Sequence, residues 1–172
     1  MSQKVRLEPL AEHHLPAVQA MLSDPDVRRF TRVPEPPPDR FAWTWYDRYE
    51  AGRADGTREV FAALGGDGEV LALGMAPTIE REAQTCELGY MVAPDARGRG
   101  VATEVLRALT RWAFEDREIL RAELLIDTEN RASLEVARRC GYVHEGTLRS
   151  SYHKNGIRID ATIWSRLPSD PS

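Results

Sequence analysis

The chain has 172 residues, 42% hydrophobic and 29% charged, the balance of an ordinary globular protein that can bury a core without disulfides or a structural metal. Lys and Arg number 23 against 27 Asp and Glu, for a net charge of −4; this excludes a nucleic-acid-binding surface over the whole molecule, so any anion site must be built locally. No apolar run approaches the roughly 20 residues of a bilayer span, the first ten residues carry no signal-peptide core, and Cys86 and Cys140 form no C-x-x-C pair, so the expectation is a cytoplasmic protein with two buried thiols and no membrane association.

Val5 and Leu7 alternate with Lys4, Arg6 and Glu8 as in a first strand. Leu15, Val18, Met21 and Leu22 then recur at helical spacing up to a break at Asp24-Pro25. Pro34, Pro36, Pro37 and Pro38 interrupt any regular element. Asp39 is the expected N-cap of a second helix carrying Phe41, Trp43, Trp45, Tyr46 and Tyr49, which fades near Gly52 to Gly56. Val60–Leu64 and Val70–Ile79 read as strands around the turn at Gly65-Gly66-Asp67-Gly68, and Cys86–Val92 as a third strand ended by Pro94.

The clearest helix follows. Ala102, Val105, Leu106, Leu109, Trp112 and Ala113 share one face, with Glu104, Arg107, Arg111 and Glu115 on the other. Ala122–Ile126 is a short buried-type strand, and a helix from about Asn130 to Cys140 stops at Gly141. Tyr142–Tyr152 and Ile157–Trp164 read as a hairpin around Asn155-Gly156. The order β-α-α-β-β-β-α-β-α-β-β implies an α/β fold built on one mixed sheet. One domain over residues 1–168, with a tail at 169–172, accommodates the whole series.

The segment with chemical potential is Arg97-Gly98-Arg99-Gly100-Val101-Ala102, between a strand and a helix. Its glycines permit close backbone approach, and the helix start offers unpaired N–H groups and the positive end of a dipole, a setting suited to a pyrophosphate. Arg97 and Arg99 add charge-assisted donors. Two other glycine loops are excluded: Gly100 is followed by Val101-Ala102 where a P-loop needs Lys-Ser/Thr, and Thr103 stands where a dinucleotide fingerprint needs its third glycine. Taken alone, the segment reads equally well as a plain strand-to-helix turn.

Arg97-x-x-Gly100-x-Ala102 resembles the Gln/Arg-x-x-Gly-x-Gly/Ala pattern of the GNAT N-acetyltransferases. Glu87-x-Gly89-Tyr90, Asn130-x-x-Ser133, Cys140-Gly141-Tyr142, Glu145-Gly146, Gly156 and Asp160 resemble the branch that holds the ribosomal-protein N-terminal alanine and serine acetyltransferases. The likeness runs in order from Val5 to Leu167. It implies a mostly antiparallel sheet flanked by helices with splayed central strands, acetyl-CoA as cosubstrate and no metal. It also implies transfer of acetyl to a primary amine by direct attack, most naturally at the N-terminal α-amine of a peptide or protein.

By the same resemblance, the backbone of Tyr90, Met91 and Val92 holds the pantetheine amides. Arg97, Gly98, Arg99, Gly100, Val101, Ala102 and Thr103 wrap the pyrophosphate, and Asn130 contacts coenzyme A. Asn130 is equally a good helix N-cap. Glu87 is the first candidate for the base, and its alternative is a solvated or ion-paired strand glutamate. The backbone near Met91 or Val92 is the expected oxyanion donor. Many family members place a Tyr seven residues after the Asn as the acid; here that position is Ala137. Ser133, by its match to a branch serine, and Tyr152, beside the expected acceptor groove, are the remaining candidates, and Tyr142 reads as packing.

His13, His14, His144 and His153 show no metal-ligand spacing and read as surface or strand residues, with His153 nearest the acceptor groove. Some of Trp43, Trp45, Tyr46 and Tyr49 line the acceptor pocket by family analogy, while the rest supply core. Acetylation of a small amine (amino acid, polyamine or antibiotic) and a silent acyl-CoA-binding domain are the competing readings. A homodimer is compatible with the pattern.

Overall fold

The computed structural model describes residues 4–171. Its elements run β1 (Arg6–Pro9), α1 (Leu15–Leu22), α2 (Pro25–Phe30), α3 (Phe41–Asp55), β2 (Glu59–Leu64), β3 (Val70–Glu80), β4 (Thr85–Val92), α4 (Val101–Glu115), β5 (Arg121–Asp127), α5 (Arg131–Arg139), β6 (Val143–Lys154) and β7 (Ile157–Arg166), with single 3₁₀ turns at Glu12–His14 and Pro94–Ala96. The seven strands form one sheet in the order β1-β2-β3-β4-β5-β7-β6. Every pairing is antiparallel except β4 with β5, which are joined by the α4 crossover. The element order implied one mixed sheet, and the resemblance its mostly antiparallel character; both are seen.

Strand alternation divides the core into two layers. Phe61 and Ala63 of β2 meet Val101, Val105, Leu106 and Leu109 of α4 on one face. Val60, Ala62 and Leu64 meet Leu15, Val18 and Leu22 of α1 and Trp45 and Tyr49 of α3 on the other. β2 is buried along its whole length, which is why it reads as an unbroken apolar run rather than an alternating one.

Two local features position the cleft. β4 pairs with β5 only through Thr85–Arg121, Cys86–Ala122 and Glu87–Glu123; past Glu87 the strands part, and Gly89–Val92 lie along a gap. Across the other edge of β4, Met75 pairs with Gly89 and Thr78 with Glu87, so β3 carries an extra residue opposite Leu88. Such a bulge bends its strand and re-aims neighbouring side chains; here it lies beside the point where β4 and β5 separate.

Three expectations are corrected. α1 ends at Leu22, before the break read at Asp24-Pro25, but the break also opens a helix: Pro25 occupies the first turn of α2, capped by Asp24, whose Oδ1 accepts from Val27 N at 3.0 Å, and proline is tolerated there because the missing N–H has no intrahelical partner. Asp39 is not the cap of α3; Arg40, at φ 54°, holds that position with no side-chain cap. His14 is buried at 4% exposure rather than lying on the surface.

Candidate active site

The gap between β4 and β5 opens into a cleft of about 1130 Å³. One end is walled by Tyr90–Val92, the glycine loop, the first turn of α4 and the start of α5; the other is walled by α2, α3, Glu87 and Tyr152. At the first end Gly98 has φ 73° and Gly100 φ 79°, left-handed values that glycine adopts without a Cβ penalty. No atom lies within 4 Å of the place a Cβ would take at Gly98. Gly100 caps α4 without a side chain, and the first helical bond runs from Glu104 N to Gly100 O at 3.1 Å. The amides of Val101, Ala102 and Thr103 therefore have no intrahelical acceptor at the cleft wall, an arrangement that fits an anion.

The arginines beside these glycines are placed differently from their sequence reading. The Arg97 guanidinium pairs with Asp24 and, at 3.2 Å, with Asp26, and that contact is the main cause holding the Asp24 carboxyl below its ordinary range. Arg97, which also lines the cleft, thus ties the glycine loop to α2. The Arg99 guanidinium donates to the Asp95 carbonyl of its own loop, and Arg99 lies outside the cleft lining.

At the centre stands Glu87, half-buried on the cleft wall. Burial is the main cause raising its carboxyl above the usual range; Arg32 opposes the shift and Glu123 adds to it. Among the described residues its carboxylate has neither a hydrogen-bond nor an ion-pair partner, whereas Glu123, its register neighbour on β5, is paired with Arg121 at 2.5 Å. A solvated or ion-paired strand glutamate would look like Glu123; Glu87 does not.

Asn130 caps α5, its Oδ1 accepting from Ser133 N at 3.2 Å, and it also lines the cleft. Ser133 Oγ lies 3.0 Å from the Tyr90 hydroxyl, and burial pushes that phenol up to about 12. Tyr152 reaches the cleft from β6, where the register shifts between Leu148 and Tyr152 around Ser150 at φ 55°. Its hydroxyl donates to Asp127 Oδ2 at 3.3 Å, and burial, followed by Asp127, raises its pKa.

A family model described as an acetyltransferase (GNAT) domain matches residues 4–143. The chain belongs to the GNAT acetyltransferase family. Among curated relatives, the ribosomal-protein-serine acetyltransferase of Escherichia coli is 28% identical over 52% of this chain and 50% of its own length. The spermidine N(1)-acetyltransferase of the same organism is 24% identical over 90% of this chain and 81% of its own. The chain spans about half the length of the first curated relatives it matches. A ribosomal-protein α-N-acetyltransferase solved with coenzyme A shares the fold, with a TM-score of 0.88 at 20% identity over 96% of this chain and 95% of that one.

Within this GNAT fold, Phe41, Trp45 and Tyr49 line the cleft, whereas Trp43 and Tyr46 do not. Tyr142 is a packing residue, buried with its hydroxyl 2.7 Å from Thr110 Oγ1. His144 and His153 are exposed and lie off the cleft lining. The fold does bring ligand atoms of Glu8, His13 and His14 within 4.8 Å of one another, which their spacing did not suggest. His14 Nδ1 accepts from Ala11 N at 3.1 Å, so the ring proton sits on Nε2 and points at Glu8 Oε1, 2.9 Å away. A metal-binding imidazole donates from its second nitrogen; this one accepts there, so the cluster suits a hydrogen bond better than a cation. Arg32, Arg48 and Arg58 also line the cleft, and no motif marks them, since they reach it from three separate stretches of chain.

Proposed function

We propose that this chain transfers acetyl from acetyl-CoA to the N-terminal α-amine of a peptide or protein. The single observation that carries the reading is Glu87: a half-buried carboxylate without a partner, at the junction of the two cleft ends. The coenzyme supplies an activated acetyl thioester. Backbone groups of Tyr90, Met91 and Val92 along the unpaired edge of β4 hold its pantetheine arm, and the amides of Val101, Ala102 and Thr103 hold its pyrophosphate. Asn130 shapes the same wall. Glu87 Oε accepts a proton from the amine, directly or through one water, and its raised pKa brings it nearer the operating pH of a base. A backbone N–H of Met91 or Val92 faces the developing oxyanion.

Ser133 and Tyr152 are the two hydroxyls able to return a proton. Tyr152 is tied to Asp127, so its proton is held toward a carboxylate; Ser133 shares its proton with Tyr90. Position 137, a fully buried alanine, offers none. A site with one modest base favours an amine that is already partly neutral. At pH 7.5 roughly a quarter of an α-amine is neutral, against about a thousandth of a lysine amine. The likeness to ribosomal-protein acetyltransferases supports the same acceptor. Polyamine acetylation is the second reading, supported by the spermidine acetyltransferase likeness over 90% of the chain.

We place this activity in the cytoplasm, where acetyl-CoA is made available to soluble enzymes. Among the described residues no helix is long and apolar enough to cross a membrane, and both cysteines are free and buried. The test is thiol release from acetyl-CoA with a peptide bearing a free small N-terminal residue, set against the same peptide N-blocked with an internal lysine. Mass spectrometry then locates the acetyl group. Faster turnover of the free α-amine is expected; exclusive lysine modification, or turnover with spermidine alone, would refute the α-amine reading.

A further inference from the structure

The acceptor end of the cleft carries an unusual charge pattern. Arg32 follows α2, Arg48 lies in α3 and Arg58 precedes β2, and all three line the cleft. Other arginines of this acidic chain are matched with carboxylates: Arg53 with Glu50 and Glu59, Arg97 with Asp24 and Asp26, Arg121 with Glu123 and Glu145. Arg32, Arg48 and Arg58 have no ion pair and no side-chain hydrogen bond among the described residues. What they have is aromatic support: Arg32 lies 5.4 Å from the Tyr152 ring centroid and Arg58 lies 5.9 Å from that of Tyr49.

These groups converge. The field at the Tyr49 hydroxyl contains Arg58, Arg48 and Arg32 together with Glu87, and Arg32 also acts on Glu87 and Tyr152. The Tyr49 side chain is 3% exposed and its hydroxyl makes no hydrogen bond among the described residues. Glu87, Arg32, Arg48, Arg58 and the Tyr49 phenol thus share one cleft, in which the Asp26 and Asp127 carboxylates are engaged by Arg97 and Tyr152. Guanidiniums present forked donors that match carboxylates, and stacking on rings fixes their planes. An unmatched cluster of this kind, in a chain with more acids than bases, lacks an anion that the acceptor can bring.

We infer that the acceptor is an acidic peptide N-terminus: its α-amine meets Glu87, and a carboxylate within its first few residues meets Arg32, Arg48 and Arg58. This rests on the α-amine reading and adds selection to it. Three guanidiniums without carboxylate partners repel a polycation at this end, so polyamines are disfavoured by the same group of residues.

The test compares kcat/KM for peptides that share an N-terminal serine and differ only at the next three residues, acidic, amide or lysine, together with spermidine and free glutamate. The wild-type protein is set against Arg32→Gln/Arg48→Gln, whose two sites are exposed, and a triple variant adding Arg58→Gln; thermal melts establish folding. The Arg58 stem packs beside Gly52, so the double variant decides the matter if the triple fails to fold. The expected result is an acidic-over-amide preference of at least tenfold, a further loss with lysine, and a preference that shrinks severalfold in the double variant and weakens with added salt. Equal rates for acidic and amide peptides would overturn the inference while leaving α-amine acetylation standing. Spermidine turned over faster than every peptide would overturn both. Turnover of glutamate without any peptide would sustain anion recognition and remove the peptide.

Discussion

Replacing Glu87 with Gln separates catalysis from stability, because the two move in opposite directions. The side chain keeps its shape and loses its charge. If Glu87 is the base, turnover near neutral pH falls roughly 10²-fold, about 2.7 kcal/mol of barrier, with acetyl-CoA affinity retained because the pyrophosphate end is untouched. The stability effect follows from the raised pKa. A carboxyl that binds its proton more tightly in the folded state than in the unfolded one adds stability below the unfolded pKa. That contribution is lost as pH rises through the folded pKa. At neutral pH the ionised, half-buried Glu87 therefore strains the fold, and Gln relieves that strain. The variant is expected to melt higher than wild type at pH 7, with the gap closing toward pH 4 as the wild-type carboxyl regains its proton. Each kcal/mol corresponds to about 2–4 °C for a chain of this size. The assays are thiol release across pH and melting at both pH values. Residual turnover should climb with pH as free amine accumulates without help. A wild-type rate and an unchanged or lowered melting temperature at pH 7 would make Glu87 a structural residue and refute the reasoning.

Gly100→Val should weaken acetyl-CoA binding at least tenfold, about 1.4 kcal/mol, because a β-branched residue resists the left-handed conformation at Gly100, φ 79°, that aims the α4 amides; titration calorimetry on the folded variant reads it. Arg97→Gln should cost coenzyme A and a truncated pantetheine analogue comparable affinity, since its guanidinium engages Asp24 and Asp26; a loss confined to the phosphate-bearing ligand would return Arg97 to the phosphates.

Much of the fold was legible because its determinants are local. The α4 face repeats within one stretch of chain. The Asn155-Gly156 turn has both residues at positive φ, 50° and 78°, as that pair of residue types foretells. The expected splay of β4 was legible only by resemblance. No residue between Glu87 and Val92 encodes it; it arises because the β4–β5 pairing stops at Glu87–Glu123. Asp24-Pro25 misled for a physical reason: the same dipeptide ends one helix and starts another, and only burial of Val27 in the short α2 decides between them. The pairing of Arg97 with Asp24 and Asp26 was hidden because these partners lie more than seventy residues away. The glycines of the site were readable, and its salt bridges were not.

If the acceptor is an α-amine, the arginines and Glu87 address one difficulty from two sides. An α-amine arrives largely protonated, and a lone carboxylate would hold that ammonium as an ion pair, favouring the form that cannot attack. Three guanidiniums around the same space disfavour the ammonium and so favour the neutral amine that can attack. Burial does the complementary work on the carboxylate, raising its affinity for the proton, while Arg32 limits the rise. A carboxylate on the acceptor neutralises the guanidiniums it touches and anchors the peptide without cancelling Glu87. On the α-amine proposal, the clustering of these arginines near Glu87 would serve deprotonation as well as selection, so Arg32→Gln/Arg48→Gln should lower kcat as well as the preference for acidic peptides.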